Sequence, residues 1–299
     1  MSGPIPIIQA DVFTERPFAG NPAAAVLDAD GLDAPAMQRI AAEMLVPGTA
    51  FVSAATQPGV DWRLRMFTPK REVAYSGHTA LCGTHTLIES GRLPGERVTY
   101  DTPAGLLRVN LERGDGRALM WLEPPLPACK LFEGDTVEIL EVLGLARTGV
   151  GGWARPAVTP DGDLLLPLRD LAALRALEPD MRRLAALRTT QHARGVCVVS
   201  RETVEPGSGS HCRFFAPHYG LPEDIVTGSV HGALGVWLLE AGALPAADGR
   251  AVFTAEQGDG LGRPGRLQVE VTVAGGRAVT ARVGGRAVTV LSGSVRSGS

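Results

Sequence analysis

The sequence predicts an α+β protein of two related lobes, each a set of strands and hairpins around one apolar helix. Three observations carry that prediction: an internal repeat, two helical segments almost without charge, and alternating strand patterns joined by glycine turns. At 299 residues the chain has room for two ordinary domains.

The repeat is the strongest of these. Residues 76–94 read SGHTALCGTHTLIESGRLP and residues 227–245 read TGSVHGALGVWLLEAGALP. At a constant offset of 151, Gly77, Leu87, Glu89, Gly91, Leu93 and Pro94 fall on Gly228, Leu238, Glu240, Gly242, Leu244 and Pro245. Upstream, RMFTP (65–69) matches RFFAP (213–217), with three extra residues before the second Gly loop. Two blocks recurring in the same order point to a duplicated lobe.

Each copy has one physical logic. Arg-aromatic-Phe-x-Pro reads as a short strand ended by a Pro that cannot continue a ladder. Ser76 and Thr227 are natural helix N-caps, and Gly77 and Gly228 let backbone pass close to a ligand. Each helix runs to a Gly, Gly91 or Gly242, with Pro three residues beyond. Ala-, Leu- and Gly-rich and poor in charge, both helices are expected to be surrounded by the strands of their lobe.

The other elements follow in chain order. A surface helix is expected over 36–44, with Asp33 as its cap. The segment 123–130, with three prolines, marks the lobe boundary. Another helix is expected over 170–187 and an exposed loop over 204–210. Leu267, Val269, Val271 and Val273 alternate with polar residues, and GGRAVT occurs at 275–280 and 284–289, two strand–turn–strand signals.

An apolar share of 44% with 20% charged residues is that of a globular protein, and a net charge of −3 points to no nucleic-acid or anionic-membrane partner. No run of about 18 apolar residues occurs, and the start MSGPIPIIQADVF does not read as a signal peptide. Cys82, Cys129, Cys197 and Cys212 form no CxxC pair and read as small apolar residues, so the expected setting is cytoplasmic.

A helix N-terminus carries unpaired N–H groups and partial positive charge. Two such ends face each other across a cleft if the lobes are pseudo-symmetric, and would hold a small carboxylate. Either loop alone reads equally well as an ordinary strand-to-helix turn; the paired occurrence favours a site. His78 follows the first Gly, where the helix dipole favours neutral imidazole. Asp224 precedes the second cap by three residues, and Ser229 is the positional counterpart of His78. A turn or capping role for His78 and Asp224 stays open on this reading.

Three other chemistries fit less well. His78, Cys82 and His85 share a helical face but lack a fourth metal ligand. Ser229, His231 and Asp224 do not follow G-x-S-x-G, and residues two apart on a helix do not face each other. The glycines of GDGLGRPG (258–265) precede a strand and match no dinucleotide-binding spacing.

The blocks DVFTERPFAGNPAAAVLDADGL (11–32), TAFV (49–52), RMFTPKREVAYSGHTAL (65–81) and RFFAPHYGLPEDIVTGSVHG (213–232) resemble the signature blocks of the phenazine-biosynthesis PhzF-like isomerases, relatives of diaminopimelate epimerase. The resemblance implies the diaminopimelate epimerase-like fold, two pseudo-symmetric lobes with curved, mostly antiparallel sheets around a central helix. The first lobe would be 1–125, with a strand near 285–295 returning to it, and the second 126–284. It also implies proton transfer within a small unsaturated carboxylate without metal or organic cofactor, in secondary metabolism, by an enzyme that is often a homodimer. His78 and Asp224 would be catalytic; Ser76, Gly77, Thr227, Gly228, Ser229 and Asn21 would bind substrate.

One position departs from the pattern. Epimerase relatives place two cysteines at the helix starts, where this chain has Ser76 and Thr227, which argues against two-thiol racemisation. The phenazine enzymes carry a proton-shuttling Glu in Ser-Glu-Thr-Ala-Phe-Val; here the block reads Pro47-Gly48-Thr49-Ala50-Phe51-Val52. Gly48 moves no proton, so His78, Asp224 or another acid such as Glu43 or Glu72 would have to act. The competing expectation is a degenerate member that binds a small carboxylate or a partner protein.

Overall fold

The computed structural model describes residues 4–114, 116–187 and 194–296. The chain divides into two compact units, Met1–Glu123 with Gly284–Ser299, and Pro124–Val283.

In the first unit one sheet runs from Ala287–Arg296 through Pro4–Val12, Asn21–Val26, Gly48–Ala54, Trp62–Phe67, Arg97–Thr102 and Gly105–Glu112 to Leu119–Leu122. Its neighbours are antiparallel except at Asn21–Val26 with Gly48–Ala54 and Trp62–Phe67 with Arg97–Thr102. A parallel step needs a crossover, and helices fill both: Ala34–Met44 the first and Gly77–Glu89 the second.

The second unit repeats this order. Lys130–Leu131, Ala157–Val158, Asp163–Pro167, Gly195–Ser200, Ser208–Ala216, Arg250–Gln257 and Gly265–Ala274 pair in sequence. Again only the third and fifth steps are parallel. Leu171–Arg175 and Met181–Ala186 fill the first crossover, Gly228–Glu240 the second. The duplication legible around the glycines therefore extends to the whole strand order, in an α+β architecture.

The crossover helices lie where their composition requires. Thr79–Leu87 and Val230–Leu238 are buried residue by residue. Both helices end in a left-handed Gly, Gly91 at φ 71° and Gly242 at φ 67°, which only glycine adopts without strain. Glycine also sets how closely each helix meets its sheet: a Cβ on Gly83 would stand 3.3 Å from Ala50, and one on Gly235 2.8 Å from Val269. The outer helix Ala34–Met44 starts at Asp33, whose carboxylate accepts the Ala36 amide at 2.8 Å. Its Met37, Ile40 and Ala41 pack on Ile5, Val26, Phe51 and Phe67.

Two expectations change. The helix expected over 170–187 is two short ones, capped by Asp170 and Asp180, because Pro179 between them cannot sit in a helix interior. The first GG of the GGRAVT pair is a turn, Gly275 and Gly276 both having positive φ. The second GG continues a strand instead. A Cβ on Gly284 would meet the Trp121 ring at 2.7 Å and one on Gly285 the Phe13 ring at 2.3 Å, so these glycines make room for aromatics.

Candidate functional site

Both glycine loops follow the strand that ends its unit's antiparallel pair, and both are fixed by the same device. Arg65 donates two hydrogen bonds of 2.7 Å to Glu72 while its guanidinium lies over Phe67. Arg213 donates two of 2.8 Å to Glu223 and lies over Phe215. Each bidentate pair ties the strand to the short strand behind it, Glu72–Val73 or Leu221–Asp224, and so aims the chain at the helix start. The three extra residues of the second copy lie in the turn at Pro217–Tyr219. Glu72, weighed as a substitute acid, is thereby occupied: its hydrogen bonds from Arg65 hold its pKa below the ordinary carboxylate value. Glu43 is an exposed helix residue.

At the first helix start Ser76, Gly77 and His78 are half-buried and Thr79 is fully buried. Ser76 is the N-cap residue by position, yet its side chain takes no backbone amide. Its hydroxyl instead pairs with Thr79 Oγ1 at 2.8 Å and contacts His78 Nδ1 at 3.3 Å. Thr79 Oγ1 in turn lies 3.4 Å from His78 Nε2. Gly48 opens the neighbouring strand and is aimed at this cluster: a Cβ there would stand 1.9 Å from Thr79 Oγ1 and 3.2 Å from His78 Nε2. Asn21 is buried two residues before Ala23, the register partner of Gly48. The first unit thus brings Gly48, Ser76, Gly77, His78 and Thr79 together.

The second helix start breaks the capping expectation in the same way. Thr227 caps no amide; its hydroxyl donates to Asp224 Oδ2 at 2.7 Å. Gln257, fully buried and thirty residues downstream, holds the loop. Its Oε1 accepts from the Thr227 amide at 3.0 Å, and its Nε2 donates to the Asp224 carbonyl at 3.0 Å and to Thr227 Oγ1 at 3.1 Å. Those backbone partners fix which end of the amide is oxygen. The fully buried His231 must then donate from Nε2 to Gln257 Oε1 at 3.1 Å, and its Nδ1 has no hydrogen-bond partner among the described residues.

Ser229 is met by a residue that the sequence reading did not single out. Arg194 donates Nη2 to Ser229 Oγ at 3.0 Å, and it grips the fully buried Asp163 through Nε at 2.9 Å and through Nη2. Arginine has no acceptor, so Ser229 Oγ accepts here and its own proton points elsewhere. Burial pushes the Asp163 carboxyl pKa up, with the Arg194 bonds opposing. Burial alone would lower the Arg194 pKa, but Asp163 raises it on balance. A signal for Arg194 exists in the sequence: Gly48, Val52 and Ser53 recur as Gly195, Val199 and Ser200, placing Arg194 at the same strand start as Pro47.

The discarded chemistries meet other obstacles. Cys82 is fully buried, its thiol pushed up to about 12 by that burial, and His85 Nε2 is taken by Thr289 at 3.0 Å and Glu89 at 3.3 Å. Ser229 and His231 have separate partners, Arg194 and Gln257.

Comparison with known proteins agrees with the fold and the motifs. Residues 10–293 match the family model described as phenazine biosynthesis-like protein (PhzC-PhzF). A Deinococcus radiodurans protein named as an uncharacterized isomerase is 38% identical over 288 residues, 94% of this chain and 91% of that one. The crystal structure of a Bacillus anthracis phenazine biosynthesis protein of the PhzF family superposes with a TM-score of 0.89 at 27% identity, covering 98% of this chain and 99% of that one. A probable proline racemase from Agrobacterium radiobacter K84 shares the fold alone, with a TM-score of 0.61 at 15% identity over 97% and 92% of the two chains. With its two duplicated helix starts and a family match spanning nearly its whole length, the chain belongs to the phenazine biosynthesis-like (PhzC-PhzF) family of isomerase-type enzymes.

Proposed function

We propose that the protein isomerises a small unsaturated carboxylate by moving a proton from one carbon to another, without metal or organic cofactor. One observation carries this reading: at each helix start the capping hydroxyl leaves the backbone for side chains that include an acid–base group, Ser76 for Thr79 at 2.8 Å and His78 at 3.3 Å, Thr227 for Asp224 at 2.7 Å. A serine or threonine hydroxyl at a helix start ordinarily accepts a backbone amide. His78, Asp224 or both carry the proton. The first-turn amides at Gly77 and Gly228, with Ser229, Ser76, Thr227 and Asn21, bind the carboxylate and stabilise charge developing on it.

Ser229 fits its role because Arg194 makes it an acceptor on one side, so its O–H is directed to another group. Gly48 removes the acid that the resemblance would supply, and a conjugated, activated substrate is the kind that tolerates this loss. Secondary metabolism, with cyclic dienoic or unsaturated proline-type acids, offers such substrates. A cytoplasmic setting is supported by the four free thiols Cys82, Cys129, Cys197 and Cys212. Among the described residues no helix is long and apolar enough to cross a membrane.

The test is turnover of such acids in D2O, read by product analysis and by deuterium at the receiving carbon. A positioned acid–base group contributes about 10²–10⁴-fold, so His78→Ala or Asp224→Asn should slow turnover by that order. Full turnover in both variants would overturn the assignment. Binding with neither product nor exchange would make the chain a carboxylate-binding member of its family.

A further inference from the structure

We infer that Thr79 is the residue that replaces an acid at position 48, filling its space and holding the His78 imidazole in its place. The inference rests on the reading of His78 as a proton carrier, and it starts from a steric fact. The Cα–Cβ direction of Gly48 ends 1.9 Å from Thr79 Oγ1 and 3.1 Å from Thr79 Cβ. Contacts that short do not occur, so any side chain at 48, even a methyl group, must displace Thr79. Thr79 cannot move away cheaply. It is fully buried in the first turn of the helix, and its hydroxyl holds the 2.8 Å bond to Ser76.

The space beside His78 is therefore occupied by a hydroxyl that belongs to a small network. Ser76 Oγ and Thr79 Oγ1 are bonded to each other, and each approaches one nitrogen of the same imidazole, at 3.3 and 3.4 Å. Hydroxyls donate or accept as the imidazole requires, so this pair serves either tautomer, and it bonds the protonated ring more strongly than the neutral one. A carboxylate from position 48 would bring a negative charge to Nε2; the threonine brings a neutral dipole. Thr79 touches His78 rather than a reacting carbon, which makes it a positioning residue.

Positions 48 and 79 are then one coupled pair. Gly48→Glu alone forces overpacking against Thr79, and Gly48→Glu with Thr79→Ala opens the space again. Overpacking of a tight core and the size of this chain give an expected Tm loss of about 2–12 °C for Gly48→Glu, most of it regained in the double variant. The positioning role is read separately, by NMR titration of the His78 ring. Thr79→Val keeps the shape and removes the hydroxyl; one hydrogen bond is worth a change of about 0.4–1 pH unit in the His78 midpoint. Thr79→Ser should leave that midpoint where it is. The inference is overturned if the double variant melts no higher than Gly48→Glu, or if Thr79→Val titrates like the wild type. Neither measurement uses a substrate, so a failure of the proposed isomerisation would show only in turnover and would leave both results standing.

Discussion

Replacing Arg194 by Met tests how the second helix start is held. In the native chain the guanidinium donates to both carboxylate oxygens of Asp163 and to Ser229. Asp163 is fully buried, and burial pushes its pKa up even with Arg194 present. Met keeps the apolar stem and removes the charge, so ionised Asp163 loses its counter-ion. Breaking a buried pair from one side costs about 3–5 kcal/mol, which is roughly 6–20 °C in Tm for a domain of this size. The Arg194 side chain is 33% exposed, and water reaching it places the expectation in the lower half of that range.

The sign of the pH dependence separates this cause from simple loss of packing. A carboxyl whose folded pKa lies above its unfolded value of 3.8 stabilises the fold while protonated and loses that contribution as pH rises through the folded pKa. Removing Arg194 raises the folded value further, so the deficit of Arg194→Met should be largest at neutral pH and shrink on acidification. Asp163→Asn in the same chain removes the buried charge and should recover most of the loss. Urea denaturation of wild type, both single variants and the double, from pH 7 down to about 5, measures all of this. A deficit that is equal at every pH, or a double variant no more stable than Arg194→Met, would refute the reasoning.

Two further outcomes are expected. Burial alone would raise the pKa of Glu256, but His211 and the amides of Val204 and Glu205 hold it at about 2, so it stabilises fully above its ordinary 4.5 and loses this as pH falls through the folded value. Glu256→Gln should remove about 3 kcal/mol at pH 7 and flatten the acid limb of urea midpoints. Gly235→Ala places a methyl 2.8 Å from Val269 and 3.0 Å from Val271 and should cost about 1–3 kcal/mol, read as a lower thermal midpoint.

What the sequence disclosed followed from local physics. Glycine at a helix end and a helix almost without charge each allow few structures, so Gly91, Gly242 and the two buried helices were legible. So was the duplication, because both copies keep an Arg-aromatic-Phe strand. Its partner residues were not: Glu72 and Glu223 lie seven and ten residues beyond Arg65 and Arg213 and pair with them only once the strands have turned back. The capping expectation for Ser76 and Thr227 failed for a local reason: each hydroxyl has a polar side chain three residues away, Thr79 or Asp224, and bonds to it in place of the backbone amide. Gln257 and Asp163 reach the second helix start from other strands, a distance at which periodicity carries no information.

The two copies differ most where they are topologically equivalent. Gly48 and Gly195 both open the strand that runs parallel to its neighbour. In the first unit that strand start contributes no side chain, and a threonine hydroxyl occupies the place next to His78. In the second the residue before the glycine is Arg194, which reaches Ser229, the positional counterpart of His78. An imidazole beside hydroxyls can take and return a proton. A serine whose oxygen accepts from arginine still has its hydrogen to donate to a ligand. Under the proposed isomerisation, one ancestral plan yields the proton carrier in one unit and a donor to the developing charge in the other.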